Sequence, residues 1–138
     1  MESGRNTLYQ SLKAIFLHID NREKALFSKY DLSVARFYTL MHVHNHPGIT
    51  YIDLSDLMLC TKSNTTRVVR GLLVDGWVSR KAHPIDGRSY QLYLTKKGKS
   101  LYNTVQPVYL SHIDKLMSSF NNEELAEYTE VSQHIENT

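Results

Sequence analysis

The stretch from Leu54 to Arg80, LSDLMLCTKSNTTRVVRGLLVDGWVSR, decides the fold. It contains most of one short predicted helix and all of a second, joined by a tight turn. The hydroxyl of Thr50 is placed to cap the first helix and that of Thr61 to cap the second. The second helix is predicted to run to about Asp75, where Gly76 ends it. Two short helices in this arrangement form a helix-turn-helix, whose second helix enters the major groove of DNA.

The second helix has an apolar face and a polar face. Thr65, Val68, Val69 and Leu72 share one side and are predicted to pack inward. The other side carries donors suited to base edges and phosphates, close to a helix N-terminus that itself attracts phosphate: Lys62, Ser63, Asn64, Thr66, Arg67 and Arg70. The alternative is an ordinary surface helix whose charges are solvated.

A β-hairpin follows and favours the DNA-binding alternative. Trp77 to Ala82 and Ser89 to Leu94 alternate as strands do, and the residues between them are typical of a turn. Arg88 at the tip can enter a minor groove while the helix occupies the adjacent major groove. Arg80 on the first strand and Lys96 after the second complete the candidate DNA-binding residues.

Helices are predicted on both sides of this segment. One runs from Arg5 to about Ser28, and a second begins after Ser33, carries Val34, Phe37, Leu40 and Met41 inward and stops at Pro47-Gly48. Thr95 restarts a long helix that extends through Phe120 with a kink at Pro107, and Asn121 opens the last helix. The predicted order is four helices, a hairpin and two helices, a mainly α fold with a small β-hairpin wing (α+β).

Charge is distributed unevenly along the chain. Residues 61–99 carry nine lysines and arginines against two acidic residues, whereas residues 100–138 carry one against six. A concentrated basic segment is typical of a protein that binds a polyanion. Solvated surface charge is the alternative explanation.

Composition bounds the class of protein. Hydrophobic residues make up 41% and charged residues 22% of the 138 residues, as in one ordinary globular domain. No apolar run is long enough to span a membrane, the N-terminus lacks the features of a secretory signal, and the single Cys60 fits a reducing compartment, so we expect a cytoplasmic protein. No nucleophile elbow, phosphate loop or HExxH motif occurs, and we expect no enzymatic activity and no cofactor.

The segment from Leu54 to Arg80, together with DGRSYQLYLTKKG from Asp86 to Gly98, resembles the multiple-antibiotic-resistance regulator (MarR) family of bacterial transcription factors. The resemblance spans nearly the whole chain. The matching positions are Leu54, Lys62, Ser63, Thr66, Arg67, Leu72, Gly76 and Val78 in the first motif, and Asp86, Arg88, Leu94, Thr95 and Gly98 in the second. Three positions depart from the family pattern: Gly87 replaces an arginine, Arg70 replaces an acidic residue, and Leu59 replaces a glycine in the turn.

The resemblance implies one MarR-type domain over residues 1–138, with a winged helix-turn-helix region at 32–99 and dimerisation helices at 1–30 and 100–138. It implies a homodimer on a pseudopalindromic operator, most often a repressor released by a small ligand, for which a small aromatic molecule is the candidate here. Apolar positions on the first and last helices also favour a symmetric partner.

Other functions remain as alternatives. His42, His44 and His46 could take part in a metal site, with helix-end histidines as the simpler interpretation. Cys60 could sense oxidants, although a small buried hydrophobic residue is expected there. A winged fold that binds protein instead of DNA is the third alternative.

Overall fold

The computed structural model describes residues 3–138 as six helices and one small sheet. The elements in chain order are α1 (Gly4–Ser28), α2 (Val34–Asn45), β1 (Ile49–Thr50), α3 (Tyr51–Met58), α4 (Lys62–Val74), β2 (Val78–Ala82), β3 (Tyr90–Leu94), α5 (Lys96–Met117) and α6 (Asn122–Glu136). The mainly helical fold with a small antiparallel sheet is confirmed. The chain groups into two compact units, one ending at Val105 and one from Gln106 to Thr138.

Local capping explains where the central helices begin. The side chains of Ser33, Thr50 and Thr61 each accept a hydrogen bond from the backbone N–H three residues later, at 3.1 to 3.2 Å. These bonds satisfy N–H groups that have no partner inside the helix. The predicted caps of α2, α3 and α4 are therefore confirmed.

The sheet has the order β1-β3-β2, with both pairs antiparallel. The hairpin strands pair from Val78 with Leu94 to Ala82 with Tyr90, one residue shorter at the start of each strand than predicted. The sequence did not predict β1, whose Ile49 pairs with Leu92. Two residues carry no strand pattern of their own, and their pairing depends on a partner far along the chain.

The core of the first unit is built from residues of α1 to α4, the sheet and the first part of α5. Phe27 stacks on Phe37 at 4.3 Å between ring centroids, which joins α1 to α2. Of the residues predicted to point inward from α2, Phe37 and Leu40 are fully buried, whereas Val34 and Met41 are only half-buried. The other fully buried apolar side chains include Leu54, Val69, Leu72, Leu92 and Val105.

The second unit consists of the last part of α5 and all of α6. Pro107 lies inside α5, as expected, but the helix ends at Met117. Phe120 therefore lies beyond the helix end, contrary to the prediction. Two serines and the capping Asn121 follow Met117, and such side chains favour helix ends over helix interiors. Asn121 and Glu124 form the predicted capping box of α6.

None of the helices in residues 3–138 combines the length and the hydropathy that crossing a bilayer requires.

Candidate nucleic-acid interface

A buried polar contact holds the turn between α3 and α4. Thr65 is buried on the inner face of α4, and its Oγ1 is hydrogen-bonded to Ser55 Oγ of α3 at 2.8 Å. Cys60 Sγ lies 3.1 Å from the same Oγ1. Cys60 is half-buried beside a hydroxyl, so its surroundings are more polar than the apolar core position expected from the sequence. These contacts fix α4 on α3; helical periodicity placed Thr65 on the inner face, but it did not identify Ser55 as its partner.

The outer face of α4 presents the predicted donors to solvent. Lys62, Ser63, Asn64, Arg67 and Arg70 are exposed, and Thr66 is half-buried. On the inner face Thr65, Val69 and Leu72 are buried, while Val68 is half-buried. Among residues 3–138 no ion pair involves Lys62, Arg67 or Arg70, so their charges are available to a phosphate.

The hairpin tip is an ordered turn that exposes Arg88. The Arg88 side chain is 99% exposed, and its Nε lies 3.9 Å from Asp86 Oδ1. Asp86 accepts hydrogen bonds from the Arg88 N–H and the Ser89 hydroxyl, at 3.1 and 3.2 Å. His83 Nδ1 accepts from the N–H groups of Ile85 and Asp86, both at 3.1 Å. Both side chains of this ion pair are exposed, so the pair is weak and leaves Arg88 able to reach DNA.

Two cationic side chains on β2 lie over aromatic rings of β3. The guanidinium of Arg80 lies 4.2 Å from the centre of the Tyr90 ring, and the ammonium of Lys81 lies 5.2 Å from the centre of the Tyr93 ring. Cation–π contacts restrict side chains that would otherwise sample many rotamers. Lys81 was not among the predicted site residues; the diagonal cross-strand position of Tyr93 was the signal that could have found it.

All nine candidate DNA-binding residues belong to the first compact unit. They lie on α4, on β2, at the hairpin tip and at the first residue of α5. Eight are exposed and Thr66 is half-buried. The structure thus makes each of them accessible, while their individual roles in binding stay predictions.

The histidines at the C-terminal end of α2 lie in different surroundings. His46 is the C-terminal cap of α2, and the ring of His44 packs on Tyr102 at 4.5 Å between centroids. Burial, and to a lesser degree the nearby His46, lowers the pKa of His42 below its ordinary value of 6.5. Within residues 3–138 no three His, Cys, Asp or Glu side chains are grouped closely enough to hold a metal ion.

Helices α2, α3 and α4 are followed by a β-hairpin that belongs to a three-stranded sheet, and α3 and α4 form a helix-turn-helix. This arrangement defines the class: the protein is a winged helix-turn-helix protein. Residues 32–90 match the model of the MarR family. The chain is 25% identical to the HTH-type transcriptional regulator BilQ of Clostridioides difficile, over 95% of this chain and 93% of that protein. It is 28% identical to the HTH-type transcriptional repressor YetL of Bacillus subtilis, over 90% of this chain and 75% of that protein.

A solved structure shows the same fold. The S. aureus MepR protein, in a complex with DNA, superposes with a TM-score of 0.89 at 17% identity, over 98% of both chains. At that identity the likeness shows the fold alone. The family match over residues 32–90 confirms the resemblance found in the sequence, and these curated relatives are named as HTH-type transcriptional regulators.

Proposed function

We propose that this regulator acts as a cytoplasmic homodimer that binds a pseudopalindromic DNA operator, and that it acts by binding and not by catalysis. The proposal rests on the outer face of α4. Its exposed side chains include Lys62, Arg67 and Arg70, and within residues 3–138 none of these three forms an ion pair. Their position in the second helix of a helix-turn-helix makes α4 the recognition helix.

Each candidate residue has a role that follows from its position. Near the N-terminus of α4 we assign base and phosphate contacts to Lys62, Ser63, Asn64, Thr66 and Arg67. Arg70, Arg80 and Lys96 are assigned to phosphates, since they lie farther from that N-terminus. Arg88, fully exposed at the wing tip, is assigned to the minor groove.

The dimer is inferred from apolar surface that the chain leaves exposed. On α1, Ile15 and Phe16 are 52% and 61% exposed, and on α6, Tyr128 and Val131 are 48% and 51% exposed. None of the residues of α6 is buried. Apolar surface of this extent marks an interface. We therefore assign residues 32–99 to DNA binding, and 1–30 and 100–138 to dimerisation.

We further propose that the protein is a repressor released by a small aromatic ligand. YetL, one of its relatives, is a transcriptional repressor. An open groove of about 410 Å³ lies among Tyr30, Arg36, Trp77 and Leu101, and its size suits a small organic molecule. A ligand that binds one spacing of the recognition helices more tightly than another would shift the dimer away from the operator-binding form.

Selection of bound sequences from a pool of random DNA, at one stated salt concentration, tests the proposed function. A homodimer is expected to enrich two inverted half-sites whose centres lie about one helical turn apart. Enrichment of a single half-site would reject the dimer, and no enrichment would reject sequence-specific binding altogether.

A further inference from the structure

The C-terminal end of the recognition helix is held by cations from two other elements. Arg36 of α2 donates from Nη1 to Asp75 Oδ2 at 2.6 Å, and Asp75 is the C-terminal cap of α4. Lys97, in the first turn of α5, donates from Nζ to the carbonyl oxygen of Asp75 at 2.9 Å. One residue thus receives a charged donor on its side chain and another on its backbone.

Gly71 supplies independent evidence that the position of Arg36 matters. Gly71 lies inside α4, where glycine is less stable than alanine, and it does not adopt the positive φ that would call for glycine. A Cβ at this position would overlap Arg36 Nη2 and lie 3.2 Å from Cζ. The absence of a side chain at Gly71 therefore leaves room for the guanidinium of Arg36.

The start of α5 is itself fixed to the chain that follows Asp75. The Thr95 hydroxyl donates to the carbonyl oxygen of Gly76 at 2.6 Å, and the Lys97 ammonium lies 4.0 Å from the centre of the Trp77 ring. A Cβ at Gly98 would overlap the carbonyl oxygen of Trp77, so the first turn of α5 packs directly on backbone. These contacts fix the first turn of α5, and with it Lys97, relative to the chain that follows Asp75.

We propose that Arg36, Asp75 and Lys97 form a latch that orients the recognition helix for operator binding, with Arg36 as a positioning residue that does not itself read the DNA. The inference rests on the proposed function. Helix α4 has 13 residues and is therefore about 20 Å long, so a tilt of about 5° at its C-terminus moves its N-terminus by about 2 Å. Base contacts tolerate far less displacement than that.

Two single substitutions test the latch by different routes. Arg36→Ala removes the guanidinium and one positive charge, whereas Gly71→Ala keeps the charge and displaces the guanidinium. Both are expected to weaken binding to the best duplex from the random-DNA selection by about three- to tenfold, because each protomer of the dimer loses one partly exposed ion pair. Binding to a mixed-sequence duplex should change little for Gly71→Ala, since no phosphate contact is lost.

Stability separates positioning from a general structural role. Gly71→Ala is expected to leave the unfolding midpoint unchanged or higher, because alanine is the better helix former. The double variant should bind the selected duplex no more weakly than Arg36→Ala alone, since both changes break the same contact. Arg36→Lys keeps a cation that can reach Asp75 and is expected to recover part of the affinity.

The outcomes distinguish the latch from the proposed function. If the parent binds its selected duplex and both single variants bind that duplex as tightly as the parent does, the latch is wrong and the proposed function stands. Losses that add up in the double variant would also overturn the latch, because the two changes would then act independently. If the parent binds no duplex, the proposed function fails and the latch fails with it.

Discussion

At Leu59 the backbone adopts φ 52° and ψ 41°, in the left-handed region that a leucine enters only at a cost. With Leu59 in this conformation, the N–H groups of Leu59 and Cys60 donate to the carbonyl oxygens of Asp56 and Ser55, which closes the end of α3 at the turn. The Leu59 side chain is 88% exposed, so it contributes little packing in return. The departure from the glycine that the family often has here therefore leaves strain in the turn.

We expect Leu59→Gly to stabilise the protein by about 0.5 to 1 kcal/mol. Glycine removes the steric cost of the left-handed conformation, and the greater freedom of the unfolded chain offsets part of that gain. Urea denaturation of the purified protein measures the change in unfolding free energy. Leu57→Gly is the matched control, since Leu57 is partly exposed inside α3 and the same substitution there should destabilise. A Leu59→Gly protein no more stable than the parent would show that the turn is not strained.

His42 gives the protein a predicted dependence of stability on pH. Because folding lowers the pKa of His42 below 6.5, the unfolded chain takes up the proton at a higher pH than the folded chain does. The stability that neutral His42 contributes is complete above pH 6.5 and is lost as the pH falls through the folded pKa. The unfolding free energy of His42→Gln should therefore fall less than that of the parent between about pH 8 and pH 5.5. Parallel pH profiles for the two proteins would contradict this assignment.

Single residues could be predicted from the sequence where the determinant is local. The caps Ser33, Thr50, Thr61 and Asn121 act on a backbone N–H three residues away, so spacing alone identifies them. The contact between Arg36 and Asp75 joins residues 39 positions apart. No spacing rule predicts such a pair, because it forms only after α2 and α4 have packed against each other.

At the level of elements, the recognition helix is expected to read bases and the start of α5 to contact the backbone. Arg67→Ala and Asn64→Ala should relax base preference at particular operator positions, at about 1 to 3 kcal/mol for each lost bidentate contact. Lys96→Ala is the control, because losing a phosphate contact weakens all sequences alike. Selection from random DNA with each variant measures the preferences. An unchanged motif for both helix variants would show that α4 is not the reading element.

Elements were predictable to the extent that their sequence repeats with a helical or a strand period. Helices α2 to α4 and the hairpin were found because capping residues and apolar periodicity agree there. The sequence around Ile49 suggested only a turn after Pro47-Gly48, and the strand β1 exists because Leu92 of β3 pairs with it. The end of α5 was placed too late because Phe120 continues the apolar pattern, although it contacts Tyr128 of α6 from outside the helix.

For the whole molecule, the sequence located the basic surface but not what it binds. The nine lysines and arginines of residues 61–99 are visible in the composition, and the structure leaves those of α4 and the hairpin exposed. The operator sequence and the ligand depend on angles and distances between two protomers. In the proposed dimer they depend on the apolar faces of α1 and α6, which a single chain leaves exposed.

Operator binding is expected to weaken steeply as salt is added. A dimer presents two copies of the basic segment, and if about four cations per protomer contact phosphates, the slope of log affinity against log salt concentration should be about −7. A monomer with the same contacts would give about half that slope, so the titration also tests the dimer.

The titration can be run with a mixed-sequence duplex between low and physiological salt, because the counterion effect does not depend on sequence. Lys96→Ala, which removes one cation assigned to phosphate from each protomer, should make the slope shallower by about 2. A parent slope shallower than about −2 would remove DNA binding as the main function, since fewer than about three phosphates would then be neutralised.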